Sequence, residues 1–130
     1  MDDESLIELA KKARAHAYAP YSGFAVGAAA LAVDGRVFLG CNIENASYGL
    51  TNCAERTAIF SAIAAGAKVF EALAVVADGE QPCSPCGACR QVIAEFTVKR
   101  IILANLAGKS RVVTAEELLP YAFSLDNNKT

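Results

Sequence analysis

Two short stretches hold the side chains best suited to chemistry: Cys53-Ala54-Glu55-Arg56 and Pro85-Cys86-Gly87-Ala88-Cys89-Arg90. Cys86 and Cys89 are three positions apart, so on the first turn of a helix both thiols face one point. Each stretch falls at a predicted helix N-terminus, where partial positive charge favours thiolate over thiol. Three thiolates on Zn²⁺ leave the fourth tetrahedral position open, as a catalytic zinc site requires. Glu55 as a further ligand would close that position; unligated, it is placed to move protons beside a zinc-activated water. Residues two apart on an ideal helix point nearly opposite ways, so Cys53 must lie at the very start of its helix. Zinc with three thiolates carries excess negative charge, which a guanidinium can offset. We assign that compensation to Arg56; the sequence does not fix which of Arg56 and Arg90 contacts which thiolate.

Plainer readings of the same residues stay open at this point. Asn52-x-x-Glu55 also fits a capping box. Cys86-x-x-Cys89 fits a thioredoxin-like redox pair, or a closed structural zinc site with Cys83 as fourth ligand. A redox pair leaves Cys53 and Glu55 without a role. Cys41 reads as a small buried hydrophobe, and His16, the single histidine, as a surface residue of an amphipathic helix. Asn42 and Glu44 are strand-end polar groups or, in the loop just before the site, ligand contacts.

These residues need a scaffold. Ser5 and Glu8 have capping-box spacing, and Leu6, Leu9, Ala10, Ala13 and Ala17 continue a helical stripe that Pro20 ends. Ala25–Val33 and Arg36–Asn42 read as strands joined by the two-residue turn Asp34-Gly35. A loop from Glu44 to Asn52 leads to a helix over Cys53–Ala65. Leu73–Ala77 reads as a strand, Pro85–Phe96 as a helix with Pro85 in its first position, and Ile101–Ala104 as a buried strand. Val112-Val113 is a short strand, and Thr114 and Glu117 cap a last helix that Pro120 ends. This order predicts an α/β fold, a three-layer α/β/α sandwich with a mixed, mostly parallel five-stranded sheet, antiparallel at one edge. All 130 residues are expected to form one domain.

Composition narrows the functional classes. Lys plus Arg number 12 against 14 Asp plus Glu, for a net charge of −2, and basic residues are scattered. That is no electrostatic footprint for nucleic acid or an acidic membrane. The apolar stretch Ala58–Ala77 is broken by Gly66, Lys68 and Glu71, too interrupted to span a bilayer. The acidic start Met-Asp-Asp-Glu is unlike a secretory signal. Five cysteines without an export signal point to a reducing compartment, so the protein is expected in the cytoplasm.

The pattern of Cys first, Glu two later, then Pro-Cys-x-x-Cys is that of the zinc deaminases, a signature that general accounts of this chemistry use as their own example. With Ala19-Pro20-Tyr21-Ser22, Cys41-Asn42-Ile43-Glu44-Asn45-Ala46-Ser47-Tyr48-Gly49, Asn52-Cys53-Ala54-Glu55-Arg56, Ser84-Pro85-Cys86-Gly87-Ala88-Cys89-Arg90-Gln91 and Glu117-Leu118-Leu119-Pro120, nearly the whole chain resembles the small, homotetrameric cytidine deaminases. The resemblance implies one zinc per chain on Cys53, Cys86 and Cys89, with Glu55 as proton shuttle in hydrolysis of cytidine or deoxycytidine. It implies that Asn42 and Glu44 hold ribose hydroxyls and that Phe24 lines the sugar and base pocket. The backbone near Ala54 and Cys86 would read the pyrimidine edge. Phe123 would reach a neighbouring subunit's site, although Tyr121 stands where a smaller residue is often seen. Cys83 matches no ligand position. Two rivals remain: a deaminase of another aminated heterocycle, and a nucleic-acid deaminase module. The second calls for a basic, aromatic groove that this sequence does not show.

Overall fold

A computed structural model describes residues 1–125. Helix α1 spans Asp3–Arg14, with Asp2 as its N-cap accepting from the Ser5 amide at 2.8 Å. The expected Ser5–Glu8 box does not form, because Asp2 offers a carboxylate cap three residues before Ser5. Asp3 and Glu4 in the first turn and Lys11, Lys12 and Arg14 in the last complement the helix dipole. His16 lies beyond the helix, exposed.

Strands β1 (Val26–Ala32) and β2 (Val37–Cys41) form an antiparallel hairpin. Its loop has three residues rather than two. Ala32 N–H bonds to the Arg36 carbonyl at 2.9 Å, and Gly35 takes a φ of 95°, the left-handed conformation that glycine adopts without strain. A short 3₁₀ turn at Tyr48–Leu50 precedes α2 (Ala54–Ala64) and β3 (Phe70–Ala77). Then come α3 (Gly87–Glu95), β4 (Ile101–Asn105), β5 (Ser110–Val113) and α4 (Ala115–Leu118). Pro85 falls outside α3, whose N-cap is Cys86 in an extended conformation. The Thr114–Glu117 capping box is present, with bonds of 3.1 and 2.9 Å.

The sheet order is β2-β1-β3-β4-β5. It is mixed, but the expectation of a mostly parallel sheet is corrected: only β3–β4 pairs in parallel, and β1–β2, β1–β3 and β4–β5 are antiparallel. The reason is topological. The crossovers through α2 and α3 do leave β2, β3 and β4 running the same way. The hairpin strand β1 is inserted between β2 and β3, so one would-be parallel contact becomes two antiparallel ones.

Three layers follow from the alternation of side chains along the central strands. Ala29, Leu31, Ala72, Ala74, Val76, Ile102 and Ala104 pack against Leu6, Ile7 and Ala10 of α1. On the opposite face Ala28, Ala30, Leu73, Val75, Ile101 and Leu103 share a core with Ala58, Ile59 and Ala62 of α2, Ile93 of α3 and Leu118 of α4. Two glycines set the helix-to-sheet distance. A Cβ at Gly27 would lie 2.0 Å from the Ala10 carbonyl, and one at Gly40 only 2.4 Å from the Ala54 carbonyl and from the Ala58 nitrogen. Gly40 therefore seats the first turn of α2 on β2. No helix among the described residues is long and apolar enough to cross a membrane.

Candidate active site

Helices α2 and α3 begin at one place. Cys53 is the N-cap of α2 and Cys86 the N-cap of α3, both extended and neither making a side-chain cap bond. Ser, Thr, Asp or Asn at an N-cap typically contributes about 1 kcal/mol. Two helices that forgo it at one point signal another use for the position. The thiols of Cys53, Cys86 and Cys89 lie within 4.8 Å of one another, and Cys53 Sγ is 3.7 Å from Cys86 Sγ. Tetrahedral zinc with Zn–S bonds of about 2.3 Å spaces its sulfurs about 3.8 Å apart, so the donor set fits the ion. Cys86 is exposed and Cys89 fully buried.

The electrostatics favour a thiolate at Cys53. Cys53 is pushed down to about 5, first by the hydrogen bond from Cys89 and then, against desolvation, by Arg56. Cys89 is held up, chiefly as the thiol that donates to Cys53, and further by burial. Arg56 Nη2 donates to Cys53 Sγ at 3.1 Å, and its Nε is buried with no hydrogen-bond partner among the described residues. Arg90 turns away from the sulfurs, to the Pro85 carbonyl, the Ser84 hydroxyl and the Leu118 carbonyl. Of the two arginines, Arg56 is the one that hydrogen-bonds a cluster sulfur.

Glu55, in the first turn of α2, is only 4% exposed. Burial raises its carboxyl above the usual range, and the negative charge of Cys53 adds to the rise. A carboxyl poised higher than usual beside a metal centre is suited to exchange protons. Glu55 is not part of a capping box, since the N-cap is Cys53, and Asn52 Nδ2 bonds instead to Thr57 Oγ1 at 3.0 Å. Cys83 stands apart from the thiol cluster, half-buried against the core, its thiol raised to about 11 mainly by that burial.

Residues 1–105 match the family described as the cytidine and deoxycytidylate deaminase zinc-binding region. The chain belongs to that family. Cytidine deaminase from Sporosarcina psychrophila is 58% identical over 129 residues, 98% of this chain and 95% of its own length. The enzyme of that name from Halalkalibacterium halodurans is 54% identical over 98% of each chain. The crystal structure of cytidine deaminase from Burkholderia pseudomallei superposes with a TM-score of 0.92 at 57% identity, covering 95% of this chain and all of that one. With the family's zinc-binding region and a single thiol cluster among the described residues able to hold a metal, the cofactor is zinc, one ion per chain.

Of the remaining predicted residues, Phe24, Asn42 and Glu44 belong to a laced loop region next to the entry to α2. Ile43 and Asn52 exchange main-chain hydrogen bonds of 2.9 and 3.0 Å, which lays the 42–44 segment beside the entry to α2. Tyr18 N–H donates to the Asn42 carbonyl and Glu44 N–H to the Tyr18 carbonyl. The Asn42 side chain accepts from Val26 N–H and donates to the Phe24 carbonyl, both at 2.8 Å. Glu44, 8% exposed, accepts from the Tyr21 and Ser22 amides and from the Ser22 hydroxyl. Those donors, the Ser22 hydroxyl foremost, hold its carboxyl below the usual range. Phe24 is 48% exposed at the edge of this loop, and Ala54 is fully buried at the start of α2. Phe123 is 69% exposed on the C-terminal segment, its carbonyl held by Gln91 Nε2 at 3.0 Å. A groove of about 380 Å³ beside that segment is lined by Thr97, Leu119 and Phe123, and by none of the three cysteines. Sequence reasoning missed Ser22, whose hydroxyl also accepts from Phe24 N–H at 3.0 Å; its signal is a serine in a Pro20-Tyr21-Ser22-Gly23 turn.

Proposed function

We propose that this chain, one domain over residues 1–130, hydrolyses cytidine and deoxycytidine to uridine, deoxyuridine and ammonia in nucleoside salvage in the cytoplasm. The observation that carries the reading is the convergence of three thiols at two helix N-caps with a buried, unligated Glu55, in a chain so similar to cytidine deaminases. Cys53, Cys86 and Cys89 are the ligands. When bound, zinc lowers the pKa of a water and so supplies the nucleophile at neutral pH. Glu55 takes a proton from the attacking water and delivers it to N3 of the base, which makes C4 electrophilic. It then takes the remaining proton of that water, now a hydroxyl on C4, and delivers it to the departing amine, so that C4 is left as the carbonyl and ammonia departs. Arg56 offsets the excess negative charge of three thiolates through its contact with Cys53.

Asn42 and Glu44 keep capacity for the sugar. Asn42 has one N–H and one lone pair beyond its bonds to Phe24 and Val26, and Glu44 one acceptor site beyond its three donors. Phe24 lines the pocket, and the backbone at Ala54 and Cys86 reads the pyrimidine edge. The active unit is a homotetramer in which Phe123 stacks near the base of a neighbouring site. Supporting this, the outward face of α2 offers Thr57, Phe60, Ser61 and Ala64 and carries no charge beyond Arg56 at its start, a surface that calls for cover.

The test is ammonia release from cytidine by purified protein, with and without a zinc chelator, beside sedimentation. Activity that survives complete zinc removal would end the mechanism. A fully active species at the 13.6 kDa chain mass would end the tetramer.

A further inference from the structure

Arg90 directly follows Cys89 and has no part in the chemistry above. Its guanidinium nevertheless serves three partners: Nε donates to the Pro85 carbonyl at 2.9 Å, Nη2 to Ser84 Oγ at 2.8 Å, and Nη1 to the Leu118 carbonyl at 2.7 Å. No main-chain hydrogen bond among the described residues reaches Ser84 or Pro85. Upstream, the main chain is last held where Cys83 N–H meets the Ala104 carbonyl at 3.2 Å. Downstream, holding resumes where the Cys86 carbonyl accepts from Arg90 N–H at 3.0 Å. Between these points runs the segment that delivers Cys86, the exposed thiol of the cluster. Leu118 ends a four-residue helix, so its carbonyl is an orphan acceptor that needs an outside donor. Gln91, the next residue, holds the Phe123 carbonyl.

We propose that Arg90 is a positioning residue for the metal centre. It fixes the Ser84–Cys86 segment so that the Cys86 thiol stays on the cluster, and it locks that segment to the C-terminal part of the chain at Leu118. A planar guanidinium can address three acceptors at once in fixed directions; a lysine ammonium on a flexible stem cannot reproduce that fork. The role is geometric rather than electrostatic, because the guanidinium is spent on uncharged oxygens and bonds to no sulfur. The proposal rests on the reading of Cys53, Cys86 and Cys89 as zinc ligands.

Zinc release from the loaded protein to a coloured chelator, at fixed pH and well below the melting temperature, tests it without using activity. Arg90→Lys and Arg90→Gln should both release zinc about 10–100-fold faster than wild type, the usual range when a group supporting a metal ligand is lost. Ser84→Ala should show a smaller acceleration. Arg100→Gln removes ion pairs to Asp3 and Glu71 that involve no residue of the cluster; it should release zinc like wild type even if it melts earlier. Wild-type release from Arg90→Lys would overturn the proposal, since charge alone would then suffice. Equal acceleration in Arg100→Gln at matched thermal stability would overturn it too, by assigning the effect to general loosening. Should Arg90→Gln fail to fold, Arg90→Lys decides alone, and wild-type release from it is the refuting result. Wild-type protein holding no zinc overturns the ligand reading itself, an outcome distinct from unchanged release in loaded variants.

Discussion

Gly40→Ala asks whether the seating of α2 on β2 positions the chemistry. The new Cβ would stand 2.4 Å from the Ala54 carbonyl and from the Ala58 nitrogen. Ordinary contact begins near 3.4 Å, and both atoms are backbone, so the first turn of α2 must retreat by about 1 Å. Overpacking of this kind typically costs about 1–3 kcal/mol. For a chain of 130 residues that lowers Tm by about 4–11 °C. The functional loss should be larger than the stability loss suggests, because Ala54 lies between Cys53 and Glu55. A misplacement of about 1 Å can cost about 10²-fold in rate, so kcat should fall about 10–100-fold even well below the new Tm. Gly27→Ala is the matched perturbation on the other face, where a Cβ would meet the Ala10 carbonyl at 2.0 Å and the Arg14 nitrogen at 2.6 Å. It should lower Tm as well but spare kcat and zinc, since α1 carries no thiol of the cluster. It should instead raise KM, because Arg14 Nε holds the Ala25 carbonyl at 2.9 Å, next to Phe24. Thermal melts, zinc content and ammonia-release kinetics on both variants supply the comparison. A Gly40→Ala protein that melts early yet keeps wild-type kcat would refute the positioning argument.

Glu55→Gln should keep zinc and fold while losing at least ~10²-fold in kcat, as expected when a general acid–base group is removed; more than a tenth of wild-type activity would demote Glu55 to a structural residue. Free cytidine should be used far better than its 5′-monophosphate, because the Asn42–Asn52 segment holds Glu44 and no Lys or Arg; equal kcat/KM on the two would show that the sugar-binding segment is misplaced. Glu44 has a lowered carboxyl pKa in the fold, so its stabilising contribution is full above the unfolded value of about 4.3 and is lost as pH falls through the folded value. Ser22→Ala removes the chief cause of that lowering, so a carboxyl-resolved NMR titration should find Glu44 protonating at higher pH than in wild type, and an unmoved midpoint would contradict the assigned cause.

Much of the site was legible because its information is local. The three cysteines and Glu55 announce themselves by spacing, and the demand that Cys53 precede its helix follows from helix geometry alone; its φ of −76° and ψ of 157° meet that demand. The Thr114–Glu117 box is likewise a four-residue signal. What failed was non-local or competitive. Strand direction depends on where β1 is inserted, which periodicity along β1 cannot express. Ser5 lost its capping role to Asp2, and Pro85 lost the first helical position because Cys86 must stay extended to aim its thiol. Arg56 and Arg90 look equivalent in sequence, each just after a cysteine segment. Their different partners follow from the approach of Leu118, 28 residues after Arg90, which no spacing rule foresees.

The laced loop changes how losses at Asn42 and Glu44 should be understood. Both residues were singled out as sugar contacts, yet half of their bonding capacity goes to the 21–26 backbone. Replacing either by alanine therefore leaves main-chain N–H groups unpaired, one of them the Val26 amide in the buried start of β1, and frees Phe24. A large rise in KM would follow even if the nucleoside never touched the side chain. Ser22 separates the two contributions. Its hydroxyl joins Glu44 to the Phe24 amide and lies one step removed from the proposed sugar contact. If the loop brace dominates, Ser22→Ala should raise KM for every nucleoside alike. If direct ribose contact dominates, Glu44→Gln should penalise ribosides more than analogues lacking a sugar hydroxyl, and Ser22→Ala should not. The same carboxylate can serve both ends because burial within the loop fixes its orientation before substrate arrives. Preorganisation of that kind is what a site needs if binding is not to be offset by ordering the loop.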